Sequence, residues 1–320
     1  MATLDVMKAL LVYYGVAALI LVTAYYIFAS TLLASEVPVI LSILLLFPVY
    51  WWQKNYRAKG FVAKEVGGRS KSIVLFSIVM LFVLALTVRI PSVLWFAQPY
   101  EKTPLIYLLV LTMLLVERTD LSVFGFKTEK LARSLAYGLV IIVVLAGVSW
   151  SITYGLIYVL TGQMPLQGFD ILIFLLSMPF MTLCVGISEE GLFRGYMQTH
   201  LEKFYGSGAA VFWQALLFGL WHFVWDLSPF NPFGMILYVT STFLFGLLFG
   251  YVYRKVRTLV PLVFAHGLWN SCVSAIIENP EAMNVFGTFS LGIWLAVSFL
   301  PYILAVIVTI LLFNIICKEK

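Results

Sequence analysis

The residues able to do chemistry in this chain fall into three short runs. In Ser188-Glu189-Glu190-Gly191-Leu192-Phe193-Arg194, two carboxylates and a guanidinium stand within about a turn and a half of helix. Glu190 and Arg194 are i, i+4 neighbours, the spacing of an ion pair. Glu189 lies about 100° round the helix from Glu190. One carboxylate can therefore be neutralised by Arg194 while the other faces a cavity. The second run is Phe218-Gly219-Leu220-Trp221-His222 and the third is His266-Gly267-Leu268-Trp269-Asn270, both inside apolar stretches. His266 and Asn270 share a helical face. The remaining histidine, His200, falls in a polar helix end and is expected to be exposed. Buried separately, the polar groups of these runs would each lack partners, so they are expected to converge.

A carboxylate beside an imidazole can act as a general base on water. A second imidazole and a side-chain amide can stabilise an oxyanion. Two histidines and a glutamate also match a hydrolytic zinc site with one open position, with Glu189, His222 and His266 as candidate ligands. There is no His-Glu-x-x-His and no Gly-x-Ser-x-Gly elbow, and the aspartates are expected in loops, which disfavours a serine triad. Cys184, Cys272 and Cys317 lack pairing or CxxC spacing and read as small buried hydrophobes. Hydrolysis inside a membrane cavity is the expected chemistry. A metal-free version is preferred, because base and oxyanion donors are present without an ion and no fourth zinc ligand is committed; Zn2+ is the alternative cofactor.

Such groups need a scaffold that excludes water. Hydrophobic residues make up 62% of the 320 residues, charged residues 11%, and the mean hydropathy is +1.01. Ordinary globular proteins carry roughly 25% charged residues, so a water-soluble surface is excluded. Disorder is excluded by the same apolar excess. A nucleic-acid partner is not expected despite the formal charge of +5, because the basic residues flank apolar runs. No cleavable signal peptide is expected, the first apolar run being too long.

A transmembrane helix needs about 17–25 apolar residues. Ten candidate spans are read: 7–33, 37–52, 73–96, 104–116, 135–160, 171–187, 207–225, 233–253, 259–277 and 286–316. The expected fold is an all-α polytopic transmembrane bundle of about ten spans (8–10). Residues 188–204 keep helical spacing and can extend the sixth span. With alternating gaps and the N-terminus inside, 18 of the 20 lysines and arginines fall on the cytoplasmic side, leaving only Arg89 and Lys102 outside. Both termini are therefore expected in the cytoplasm, with the basic segment 53–72 acting as a topology determinant. Gly246-Leu-Leu-Phe-Gly250 has GxxxG spacing, which bundle packing explains as well as dimerisation would. No internal repeat is visible, which disfavours a transporter. A depth count leaves a tension: His222 lies roughly 22 Å from the inner end of its span and His266 roughly 12 Å from its own. Tilt, or a seventh span beginning beyond the membrane surface, has to bring them level.

EEGLFR, FGLWH and HGLWN match EExxxR, FxxxH and HxxxN motifs. In these the chain resembles the CAAX-protease and bacteriocin-processing (CPBP, or Abi) family of intramembrane proteases, which includes the Ras-converting CAAX endopeptidases. The resemblance runs from about 120 to 280 and takes in Asp120–Lys127 and Gly250–Lys255. It implies a protease core over 117–285, preceded by spans of unassigned role over 1–116 and followed by a C-terminal span and short tail over 286–320. It also implies an intramembrane endopeptidase that processes CAAX-type or related membrane peptides. Carried over, Glu189 activates water with help from His222, His266 and Asn270 bind the oxyanion, and Glu190 with Arg194 holds the helix in place. The implied partners are membrane lipids and a peptide or protein substrate, C-terminal or lipidated. The location expected is a prokaryotic cell membrane, multi-pass. Because relatives have been treated as metalloproteases, the zinc version stays open. The alternative from another class is a non-catalytic membrane scaffold or bacteriocin-immunity protein that binds a peptide in the same cavity.

Overall fold

The computed structural model describes residues 2–28, 69–96 and 102–317, with isolated residues between 37 and 55. Most of the expected second span and most of segment 53–72 lie outside the described residues. The helices are α1 (Ala2–Phe28), α2 (Lys71–Phe96), α3 (Lys102–Leu111), α4 (Leu131–Thr161), α5 (Ile171–Phe180), α6 (Ile187–Glu190), α7 (Thr199–Leu220), α8 (Pro232–Val256), α9 (Val260–Ala275), α10 (Pro280–Gly287) and α11 (Leu291–Ile316). π-helical stretches join α5 to α6 over Met181–Gly186 and α6 to α7 over Gly191–Gln198.

Most of these helices are apolar all round, the pattern of a helix set among apolar neighbours or lipid. Val143, Leu175, Ile236 and Leu311 point outward and are more than half exposed. Five helical stretches among the described residues are long and apolar enough to cross a membrane: Lys71–Pro91, Leu131–Thr161, Ile171–Asp226, Pro232–Val256 and Leu291–Ile316. Gly15–Phe28 and Pro104–Leu114 are shorter apolar helices. The architecture is that of a helical membrane protein. One feature amends the all-helical expectation. Strands β1 (Leu166–Phe169) and β2 (Ile276–Glu278) pair antiparallel, with Phe169 opposite Ile276. They tie the far end of α4 to the end of α9, and Asp170 then caps α5 by accepting from the Leu172 and Ile173 N–H groups.

The sixth and seventh expected spans are two arms of one hairpin. The rod from Ile171 runs without a break through the π-helical stretches to the first turns of α7. It folds back at Gly206, where φ is 75° and ψ is 165°. That region of backbone space is essentially restricted to glycine. Beyond it the second arm returns along the first, placing Phe218 against Phe193 and Trp221 against Glu189. A Cβ at Gly206 would meet nothing within 4 Å, so Gly206→Ala probes the backbone alone. It should destabilise the protein by about 1–3 kcal/mol, read as a lowered unfolding midpoint in detergent; an unchanged midpoint would contradict the hairpin.

The tension in depth is resolved by where α9 starts. The Leu259 N–H donates to the Gly125 carbonyl at 3.0 Å. Gly195 packs beside both segments, a Cβ there lying 2.9 Å from the Phe124 carbonyl oxygen and 3.3 Å from Leu259. Thus α9 begins level with Gly195, while the hairpin runs on to Gly206. The long arm to His222 and the short arm to His266 end at the same depth. Within the bundle, Gly246 and Gly250 of α8 face α7: a Cβ at Gly246 would lie 2.9 Å from the Ala215 Cα. The Gln214 amide donates to the Gly246 carbonyl and the Gln198 amide to the Gly250 carbonyl, each at 2.9 Å. The GxxxG face is occupied inside the chain.

Candidate active site

Helix α6 is a single turn set between two π-helical stretches, a type of irregularity frequent at functional sites. It carries Glu189 towards the returning arm of the hairpin and Glu190 towards α9. Relative exposures are 1% for Glu189, 0% for Glu190 and Arg194, 7% for His222 and 3% for His266. Charges so deeply buried need partners.

Glu190 has them. Its Oε1 accepts from Arg194 Nη1 at 3.0 Å and from His266 Nδ1 at 2.7 Å. The Arg194 guanidinium lies 4.2 Å from the Phe218 ring centroid and 5.5 Å from that of Phe249, so the cation is held by ring faces as well as by its carboxylate. Phe218, Phe245 and Phe249 also pack edge-on against the His266 ring. Glu189 takes a different set. Its Oε1 accepts from Trp221 Nε1 at 3.1 Å. Its Oε2 lies 3.8 Å from His222 Nε2 and 3.6 Å from His266 Nε2.

The outer hydrogen bonds fix the tautomers. His222 Nδ1 is 2.8 Å from the Phe218 carbonyl, which can only accept. Nδ1 therefore carries the proton and Nε2 presents a lone pair to Glu189. His266 Nδ1 lies 2.7 Å from Glu190 Oε1; where it donates to that oxygen, the neutral ring presents a lone pair at Nε2 as well. Three acceptor atoms thus face one another across gaps that no proton in the neutral rings can fill. A group placed there must bring hydrogens or positive charge. Water suits this, and so in kind does a cation. Zinc ligands at about 2.0–2.2 Å place neighbouring tetrahedral donors about 3.3–3.6 Å apart, and the two gaps of 3.6 and 3.8 Å lie at and just beyond the upper end of that range. Among the described residues no group of three or more His, Cys, Asp or Glu is arranged to hold a metal ion. Two imidazole nitrogens and a carboxylate oxygen are donors of the kind a zinc ion takes.

Sequence spacing therefore brings Glu189, Glu190, Arg194, His222 and His266 to one place. Asn270 stands one turn beyond His266 on α9, half-buried. Its side-chain amide makes no hydrogen bond among the described residues, and its backbone carbonyl accepts from the Ser274 hydroxyl. His200 corrects the expectation of exposure. It is 1% exposed, and its Nε2 lies 2.8 Å from Glu117 Oε2. Tyr196 donates to Glu117 Oε1 at 2.8 Å, and Arg69 lies 3.5 Å from that same oxygen. The Tyr196 and His200 rings lie 4.6 Å apart, and the carboxylate that buries them comes from a distant part of the chain. Trp221 was visible only as the neighbour of His222, and Arg89 only as an exception in the charge pattern. Arg89 is fully buried, with its guanidinium 4.7 Å from the Trp221 ring centroid and 5.5 Å from that of Trp225.

Residues 171–272 match the family model described as type II CAAX prenyl endopeptidase Rce1-like. The chain carries an Rce1-like segment. No curated protein and no solved structure matches it. The Rce1-like segment starts with α5 and ends within α9, so it contains all three motif runs and the whole Glu189–Glu190–His222–His266 cluster. The helices before it, Arg89 among them, lie outside the match.

Proposed function

We propose that the protein is an intramembrane endopeptidase that hydrolyses CAAX-type or related membrane peptides with water activated by Glu189, without a tightly held metal. The observation that carries this reading is the convergence of Glu189 Oε2, His222 Nε2 and His266 Nε2, with 3.8 and 3.6 Å from the carboxylate oxygen to the two nitrogens. A water between Glu189 and His222 can donate to both acceptors and keep a lone pair for attack. As its oxygen bonds to the peptide carbonyl carbon, its proton passes to Glu189. The Trp221 N–H holds the other carboxylate oxygen, so Oε2 stays turned to the water.

His266 and Glu190 form a histidine–carboxylate pair. Protonated at Nε2, the His266 imidazolium is balanced by Glu190 and can donate to the oxyanion. It can then give its proton to the departing amine as the C–N bond breaks. Glu189 then passes the proton it took from water to His266 Nε2, returning both groups to their starting state. Asn270, on the same face, can add an amide N–H to the oxyanion once a substrate lies against α9. Arg194 stays paired with Glu190, 3.0 Å away.

Removing one oxyanion donor typically costs ~10²–10³ in rate, so His266→Ala and Asn270→Ala should each lower kcat by about that factor. Exhaustive chelation should leave the wild type nearly as active. Stoichiometric zinc that disappears together with activity on His266→Ala would replace this mechanism by a metal-dependent one.

Ten spans with both termini cytoplasmic complete the proposed layout. The path of α4 supports it, since Lys130 precedes one end and the other end leads to β1, paired with β2 beside Glu281. Single cysteines at Lys130 and Glu281, both exposed, should react with impermeant reagent from opposite faces of sealed vesicles. Reaction from one face would overturn the layout.

A further inference from the structure

We propose that Arg89, on α2 and outside the Rce1-like segment, is a positioning residue of the hydrolytic site; this rests on the reading of Glu189 as the general base. The face of α2 that meets the core follows helical spacing. Val74, Ile78 and Ala85 are buried, and Phe82 packs against both Phe193 and Trp221. One turn beyond Ala85 on that face stands Arg89, the largest polar side chain of the helix and fully buried. A buried cation inside an apolar helix is costly and usually functional.

Its position says what it does. The guanidinium lies over the face of Trp221, 4.7 Å from the centroid, and within 5.5 Å of Trp225. Trp221 is the residue whose Nε1–H donates to Glu189 Oε1 at 3.1 Å. The orientation of the indole is set by that hydrogen bond and by the groups packed round the ring. Here Arg89 and Phe82 from α2 and Phe193 from the rod surround it. A cation over the ring also draws electron density from the indole, making its N–H a stronger donor. The chain of effect runs from Arg89 to the Trp221 ring, to the Trp221–Glu189 hydrogen bond, and to the aim of Oε2 at His222 and His266. Helix α2 is therefore part of the enzyme rather than an anchor for it.

A double-mutant cycle on the full-length protein in detergent tests the chain of effect, with a farnesylated CAAX peptide as substrate. Arg89→Ala should lower kcat about tenfold at unchanged KM. Arg89→Lys, which restores a cation, should recover activity to within about threefold of wild type, whereas Arg89→Met, which restores only bulk, should not. In a Trp221→Phe background, where the N–H is gone, Arg89→Ala should have no further effect. Equal rescue by Met, additive losses, or a rise in KM at constant kcat would each overturn the proposal, the last by making Arg89 a substrate-binding group. A readout without turnover keeps this separate from the mechanism. The indole N–H band of Trp221, taken as the resonance Raman difference between wild type and Trp221→Phe, should shift towards a weaker hydrogen bond in Arg89→Ala. If that band shifts while Glu189→Gln retains wild-type turnover, Arg89 positions Trp221 but the assignment of the base has failed. An unshifted band contradicts the proposal whatever the turnover.

Discussion

Glu189→Gln should lower kcat by about 10²–10⁴-fold, the span typical for loss of a general base, and leave the protein folded. Glutamine has nearly the same shape, and its carbonyl oxygen can still accept from Trp221. Arg194 keeps its carboxylate, because it pairs with Glu190. The unfolding midpoint should therefore stay within a few degrees of wild type while turnover collapses. His222→Ala should follow it in kinetics, since His222 faces the same carboxylate oxygen at 3.8 Å. A Glu189→Gln variant that keeps more than a tenth of wild-type turnover would remove Glu189 from the mechanism.

The second large effect is on stability. Arg194 and Glu190 are both fully buried and 3.0 Å apart. Removing one member of a buried pair leaves the other charge uncompensated, at a cost of about 3–5 kcal/mol. Arg194→Met should therefore be strongly destabilised, and more so than Glu190→Gln, which keeps an oxygen able to accept from both Arg194 and His266. Combining the two should restore part of the loss, because no carboxylate is then left without its cation. Unfolding midpoints of the three variants in one detergent supply the comparison. Strictly additive losses, or an Arg194→Met midpoint equal to wild type, would show that the pair does not hold α6 in place.

Much of the site was legible because its parts are local. The i, i+4 spacing of Glu190 and Arg194 became the ion pair, and two histidines in apolar runs had to find polar company. What spacing could not reveal were partnerships across the chain. Glu190 looked like a helix support, yet it also accepts from His266 Nδ1, which sets the tautomer of that ring. His200 looked like a surface residue because its neighbours are polar, and only the fold brings Glu117 to it. Arg89 stood out only as one of two basic residues off the cytoplasmic side, and only packing places it on Trp221. The fold shows the same division. Apolar runs gave the helices and the two arms as separate spans, but not the glycine conformation, φ 75° and ψ 165° at Gly206, that turns one arm back along the other. The unequal depth of the two histidines was visible as a conflict in the sequence. Its cause was not, because the start of α9 is set by the contact of Leu259 with Gly125, distant in sequence.

The central claim is that this buried cluster hydrolyses a membrane peptide. Purified full-length protein in detergent, freed of loosely bound metal by chelation, can be incubated with a farnesylated CAAX peptide in ¹⁸O-enriched water and the products weighed by mass spectrometry. The account predicts release of a C-terminal fragment, one ¹⁸O in the newly formed carboxylate of the lipidated product, and neither event with Glu189→Gln. An intact peptide after incubation with wild type, or equal cleavage by wild type and Glu189→Gln, would contradict it.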